Sequence, residues 1–241
     1  MPAESQTSKS IPRVWIIALV LFAVSLIAAS FIADAPVRAA ILEAQGKGWK
    51  KTSEYAFQAA ISKYGDWPQL MIVGIIGLAI ARALKRKDWQ RVIVAALIAS
   101  TLAGMVANMS RLTTGRTRPR ESPKIEAGWY GPIHNGEILI GNSKYNAFPS
   151  GHTATAVGFA APFLFAKPIA GGVLMIFALM VAWSRMALGA HNLSDVVVSI
   201  LLATAIGWFV YRRIETHGAA YGSRVFTLYQ SWRQRRRNKN D

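Results

Sequence analysis

VWIIALVLFAVSLIAASFIA, residues 14–33, runs for twenty residues without a charge. At about 1.5 Å of rise per residue, a helix of that length crosses the roughly 30 Å hydrocarbon core of a bilayer. Lys9 and Arg13 precede it and the tripeptide ADA follows, a layout shared with secretory signals. The run is longer than the usual signal core of roughly 7–15 residues, and Pro36 follows the would-be cleavage point. The segment is therefore expected to remain as a membrane anchor.

Outward from this run, further apolar stretches cover residues 68–84, 92–109, 150–166, 173–184 and 196–211. Together they predict an all-α fold, a polytopic bundle of six transmembrane helices over residues 14–213. Residues 1–13 form a short N-terminus and 214–241 a basic tail. Residues 34–66 read as an interfacial segment with one or two short amphipathic helices. Trp49, Tyr55, Phe57 and Trp67 suit the headgroup level. Gly74, Gly77, Ala95, Ala99 and Ala103 are small enough to let helices pack closely. Residues 111–150 form the longest polar connection.

Composition agrees with a membrane protein. The chain is 52% hydrophobic over 241 residues and only 17% charged, below the roughly 25% of soluble domains. Its 28 Lys and Arg against 12 Asp and Glu give a formal charge of +16. So basic a chain raises the possibility of a nucleic-acid partner, but the apolar runs are too long for one. With no cysteine, disulfides and thiolate metal sites are excluded.

The cations also set the orientation. The N-terminus, the 82–91 loop, Lys167 and the tail hold 16 of the 28 Lys and Arg and 4 of the 12 acids, a net of about +12 against about +4 elsewhere. The first set is expected in the cytoplasm, with both termini inside. Three polar clusters then fall together on the outer, periplasmic face of an inner (cytoplasmic) membrane: RLTTGRTRPR (111–120), FPSGH (148–152) and SRMALGAHNLSD (184–195).

These clusters carry a recognisable chemistry. Guanidinium forks match a tetrahedral oxyanion, above all phosphate. Arg111, Arg118 and Arg185 approach from three different helix ends or loops, so they can surround one anion. Ser150 and Gly151 open the fourth span, where free N–H groups and the helix dipole favour an anion and glycine permits close approach. His191 is followed four residues later by Asp195, a spacing that lets a carboxylate orient an imidazole and stabilise its cation. His191 is the candidate nucleophile on phosphorus, and His152 the candidate acid for the departing alkoxide. No metal or other cofactor is needed. Each cluster alone has a plain structural reading; their meeting on one face does not.

Arg111, six residues, then Arg118–Pro119; Pro149–Ser150–Gly151–His152; and Ser184–Arg185, five residues, His191, three residues, Asp195 resemble the three-part signature of the type 2 phosphatidic acid phosphatase superfamily. The signature spans residues 111–195, and the hydrophobic layout of nearly the whole chain is similar to the membrane-bound members. The first motif of the family usually opens with lysine, where this chain has Arg111. The resemblance implies a six-helix fold and metal-independent hydrolysis of a phosphomonoester or diphosphate on a membrane lipid through a phosphohistidine. It implies phosphate binding by Arg111, Arg118, Ser150, Gly151 and Arg185, with His152 as acid, His191 as nucleophile and Asp195 as its partner. Undecaprenyl diphosphate, phosphatidate, phosphatidylglycerophosphate and lipid A phosphates are the candidate substrates. The 120–148 loop is expected to shape the entrance, with Trp129 and Tyr130 as interfacial anchors.

Rival readings are weaker. A zinc site from His134, His152 and His191 has no HExxH-type spacing and would face three repelling arginines. The vanadate-binding haloperoxidases of the same superfamily are soluble. A lipid or anion transporter could use the same arginines, but has no use for two histidines and Asp195.

Overall fold

The computed structural model describes residues 13–121 and 124–237, with side chains as far as residue 217. The N-terminus before Arg13, the last four residues and the side chains of the basic tail beyond 217 lie outside the described residues. Seven helices follow in order: α1 (Arg13–Gln45), α2 (Ser53–Tyr64), α3 (Trp67–Ala83), α4 (Lys87–Thr114), α5 (Gly151–Ala166), α6 (Pro168–Ala187) and α7 (Leu193–Arg237). The 115–150 connection carries one small antiparallel hairpin, β1 (Ile133–His134) with β2 (Glu137–Ile138), pairing Ile133 with Ile138.

Helices α1, α4, α6 and α7 are each long and apolar enough to cross a membrane, and α2 with α3 makes a fifth if that pair, bent by 58°, is taken as one span. Helix α5 has 16 residues, short of the roughly 17–25 usual for a span. The helices match the six apolar runs in position but not always in extent. Helix α1 continues past the first run, through Pro36, to Gln45. Alanine, leucine and glutamate over 39–45 are strong helix formers, and they carry the turn beyond the apolar core. The stretch from 34 to 66 thus begins inside α1 and continues through one turn at Trp49–Lys51 and through α2. The last helix likewise runs through most of the expected tail.

The break between α2 and α3 has a local cause. Asp66 caps α3, its Oδ1 accepting the Trp67 N–H at 2.8 Å, and Pro68 sits in the first turn. Both are start signals, so a new helix begins rather than the old one continuing.

Helix α5 is the centre of the bundle. Every residue from Gly151 to Phe163 except His152 is buried, and α4, α6 and α7 pack around it. Small residues make this possible. Ala95, Ala99 and Ala103 of α4 are fully buried, and a Cβ on Gly158 would stand 2.9 Å from the Ala99 carbonyl oxygen. Gly74 of α3 is filled in the same way against Leu97 and Phe159, whereas Gly77 has room for an ordinary contact. Close backbone approach of this kind is how helices associate where lipid offers no hydrophobic drive. The outward faces suit lipid: Val14 to Phe22 of α1 and Ile72 to Ile76 of α3 expose their large apolar side chains.

One end of the bundle is tied by Lys167 Nζ to Asp88 Oδ2 at 2.8 Å, joining the α5–α6 turn to the start of α4. The opposite end gathers the C-termini of α4 and α6 with the N-termini of α5 and α7.

Candidate active site

At this second end the backbone itself draws the three motifs together. Helix α4 stops at Gly115, whose φ of 58° and close approach to Gly131 (a Cβ would lie 2.1 Å from its carbonyl oxygen) leave no room for a side chain. The following loop is pinned by Arg118 N–H to the Lys144 carbonyl at 2.8 Å and by Ala147 N–H to the Arg116 carbonyl at 3.0 Å. Ser150 caps α5, fully buried, and its N–H donates to the Asp195 carbonyl at 3.2 Å, joining the starts of α5 and α7. Its hydroxyl accepts from Thr153 Oγ1 at 2.9 Å.

Arg111 lies across the start of α5. Its Nε donates to the Pro149 carbonyl at 2.8 Å and its Nη1 to Asn108 Oδ1 at 3.1 Å. A Cβ on Gly151 would be 2.9 Å from its Nη2, so glycine is what lets the guanidinium sit there. The planar head makes two protein contacts and still keeps Nη2 without a partner, which a single ammonium could not do with the same geometry. Arg185 reaches across to α2, donating from Nη1 to Ser62 Oγ at 2.5 Å.

Four buried nitrogens here have no hydrogen-bond partner among the described residues: Arg111 Nη2, Arg118 Nε, Arg185 Nε and His191 Nε2. Burial, with Arg120, Arg111 and Arg185 nearby, lowers the Arg118 pKa to about 10, which still leaves it charged at neutral pH. His191 is fully buried, and burial first, then the fields of Arg111, Arg185 and Arg118, push its pKa well below the usual value. The bond to the Ala147 carbonyl opposes this. Three unpartnered guanidinium nitrogens and an unpartnered imidazole nitrogen at this end are chemically able to take up an oxyanion.

The tautomer of His191 follows from its partner. Nδ1 lies 2.6 Å from the Ala147 carbonyl oxygen. A carbonyl only accepts, so Nδ1 carries the proton and Nε2 holds a free lone pair. Asp195 Oδ2 is 3.7 Å from Nδ1, too far for a hydrogen bond but near enough to favour a positive ring. That oxygen accepts the Asn192 N–H at 2.7 Å, and Oδ1 is held by Arg116 Nη1. The sequence spacing anticipated the pair, while the direct orienting contact is made by a backbone carbonyl.

His152 is the second residue of α5 and remains partly exposed, with Nε2 3.4 Å from Asp66 Oδ2. His134 does not join it. It sits exposed in the hairpin with its ring edge-on to Tyr130, centroids 4.7 Å apart. Among the described residues no three His, Asp or Glu side chains are placed to hold a metal ion.

Several residues here were not singled out by the motifs. Arg116 bridges Asp195 to Asp34 of α1, with Nη2 2.6 Å from Asp34 Oδ2. Its guanidinium lies 4.7 Å from the Trp129 ring centroid and 5.2 Å from that of Phe31. Trp129 thus serves as a lid on Arg116 while half exposed. Asp66, Ser62 and Ala147 complete the set. The only signals for them were an arginine inside the first motif, the first charge after the first apolar run, and a helix cap before Trp67–Pro68.

Comparison with known proteins places this geometry. The family model described as the PAP2 superfamily matches residues 91–219. The chain is 34% identical over 79 residues to the undecaprenyl-diphosphatase of Bacillus subtilis (strain 168), covering 33% of this chain and 41% of that protein. It is 28% identical over 107 residues to the lipid A 1-phosphatase of Rhizobium etli, covering 44% and 42%. The matched stretch therefore spans about half the length of these curated relatives or less. The crystal structure of a transmembrane PAP2 type phosphatidylglycerolphosphate phosphatase from Bacillus subtilis shares the fold, with a TM-score of 0.53 at 19% identity over 83% of this chain and 96% of that one.

Proposed function

The chain belongs to the PAP2 superfamily, and from that premise we propose that it is a metal-independent lipid phosphatase of the inner membrane with its site facing the periplasm. The observation that carries this reading is the buried, unpartnered Nε2 of His191 ringed by unpartnered nitrogens of Arg111, Arg118 and Arg185. Arg111, Arg118 and Arg185, with the Ser150 hydroxyl and the Gly151 N–H at the start of α5, bind the phosphate oxygens. Nε2 of His191 attacks phosphorus, and the bond from phosphorus to the leaving oxygen breaks as His152 gives that oxygen a proton. Water deprotonated by His152 then attacks the phosphohistidine, the N–P bond breaks, and phosphate leaves. Asp195 stabilises the ring while it is cationic. The arginines counter the negative charge that grows on the equatorial oxygens, the largest single contribution in most phosphoryl transfers.

The substrate is a phosphomonoester or diphosphate on a membrane lipid. Undecaprenyl diphosphate, phosphatidate, phosphatidylglycerophosphate and lipid A phosphates are the types to assay. Purified protein releases inorganic phosphate from at least one of them, the rate is unchanged by EDTA, and vanadate inhibits because its trigonal bipyramidal form resembles the transition state. Activity lost to chelator and restored by zinc or magnesium would sink the arginine cradle. A transporter moves the lipid or anion across vesicles and releases no phosphate, which separates the two classes in one assay.

Six spans, α1 and α3 to α7, put both termini in the cytoplasm. The Lys167–Asp88 bridge supports this, since it holds the two cation-bearing loops at one end, away from the arginine cluster. A reporter fused after Lys239 should be cytoplasmic, and a tag inserted at Asn135, in the exposed hairpin, should be reachable from outside. Both on one side would overturn the six-span arrangement.

A further inference from the structure

We infer that Asp34, on α1 and outside the matched region, is a positioning residue for phosphoryl transfer, acting on Asp195 and the His191 turn through Arg116 and Ser194; this rests on the phosphatase reading above. Asp34 uses both of its oxygens on this task. Oδ1 accepts the Ser194 N–H at 2.8 Å, and Oδ2 accepts Ser194 Oγ–H at 2.6 Å and Arg116 Nη2–H at 2.6 Å. Arg116 Nη1 donates in turn to Ser194 Oγ at 2.7 Å and to Asp195 Oδ1. Arg116, Ser194 and Asp195 are all buried, Ser194 and Asp195 completely.

This arrangement does more than tie α1 to α7. The first turn of α7 has N–H groups with no intrahelical acceptor. Asp195 accepts the one from Asn192, and Asp34 accepts the one from Ser194. The backbone from 192 to 195 is therefore fixed at two points, and His191 directly precedes it. On its other side the His191 N–H is held by the Arg185 carbonyl at 3.2 Å. A buried guanidinium shared by two carboxylates also fixes which way Asp195 Oδ1 points, so that Oδ2 is the oxygen left facing Nδ1 of His191. Asp34's hydrogen-bond partners are Arg116 and Ser194, not the three cradle arginines, so its loss is expected to act on turnover more than on phosphate binding.

Geometry errors near 1 Å at a reacting atom cost about a hundredfold in rate. Asp34→Asn keeps the size of the side chain but turns one acceptor into a donor facing two donors, so Arg116 and Ser194 must shift. The expected result, with p-nitrophenyl phosphate and full-length protein in detergent, is a fall in kcat of about ten- to a hundredfold with KM within about threefold of wild type. The decisive measurement is the double variant. If Asp34 acts through Asp195, Asp34→Asn with Asp195→Asn is no slower than Asp195→Asn alone, because coupled residues are not additive. Losses that multiply would show that Asp34 acts independently of Asp195 and would overturn the proposal, as would full turnover in Asp34→Asn. Should Asp34→Asn fail to fold, Ser194→Ala removes one arm of the same link without changing a charge. It must then show the same non-additivity with Asp195→Asn, or the proposal falls. Unimpaired turnover in Asp195→Asn itself would instead remove Asp195 from the mechanism, and Asp34's role with it.

Discussion

His191→Ala abolishes turnover of every phosphate ester and leaves no trace of phosphoenzyme. The expectation rests on Nε2, which is buried, has no protein partner and carries a lone pair because Nδ1 donates to Ala147. The ring is also held neutral, with its pKa well below the usual histidine value. As pH falls through about 6.5, where an exposed histidine is half protonated, His191 stays unprotonated and nucleophilic. Loss of the attacking group in other covalent enzymes costs about 10⁴-fold or more. The measurement is labelling with radioactive phosphate from a lipid donor under alkaline quench, which preserves phosphohistidine, alongside steady-state release. Residual turnover near the wild-type rate would refute the nucleophile assignment.

His152→Ala behaves differently, because its defect depends on the leaving group. A lipid alkoxide needs a proton as it departs, whereas p-nitrophenolate is already a stable anion. General-acid assistance is worth about 10²–10⁴-fold, so the loss should approach that range on a lipid phosphate and shrink strongly on p-nitrophenyl phosphate. The variants are compared on both substrates in the same detergent. Equal defects on the two would strip His152 of the acid role and leave it as a binding residue only. The partly exposed ring, with Asp66 Oδ2 3.4 Å from Nε2, fits a group that exchanges protons with water between turnovers.

Much of this was legible from the sequence because the signals are local. Twenty uncharged residues mark a helix of span length, and arginines, a Pro-Ser-Gly turn and a histidine mark the residues that the fold gathers at one end. The helix ends were less legible. After Asp34 the sequence over 35–45 mixes apolar and charged residues, and nothing in its hydrophobicity tells a continued α1 from an interfacial segment. Helix propensity decided it. The supporting contacts were not legible at all. Arg116 meets Asp34 across 82 residues and Arg185 meets Ser62 across 123, and no spacing rule reaches so far. The direct partner of His191 is a backbone carbonyl, which every residue possesses and no motif can single out.

The enclosure of α5 bears on how the lipid of the proposed reaction would get in. Its neighbours touch it backbone to backbone, at Gly158 against Ala99 and at Gly171 of α6 against Leu164, so sliding there meets steric overlap and parting opens a void. Motion that admits a hydrocarbon chain of roughly 15 Å, half the thickness of a bilayer's hydrocarbon core, is cheaper at the rim. Helices α2 and α3 expose large apolar faces and meet at a 58° bend. That same bend carries Ser62, which holds Arg185, and Asp66, which faces His152. A hinge there would loosen a phosphate clamp and the proton donor together while Arg111 and His191 stay fixed on the rigid core. Gating and chemistry would then share one moving part.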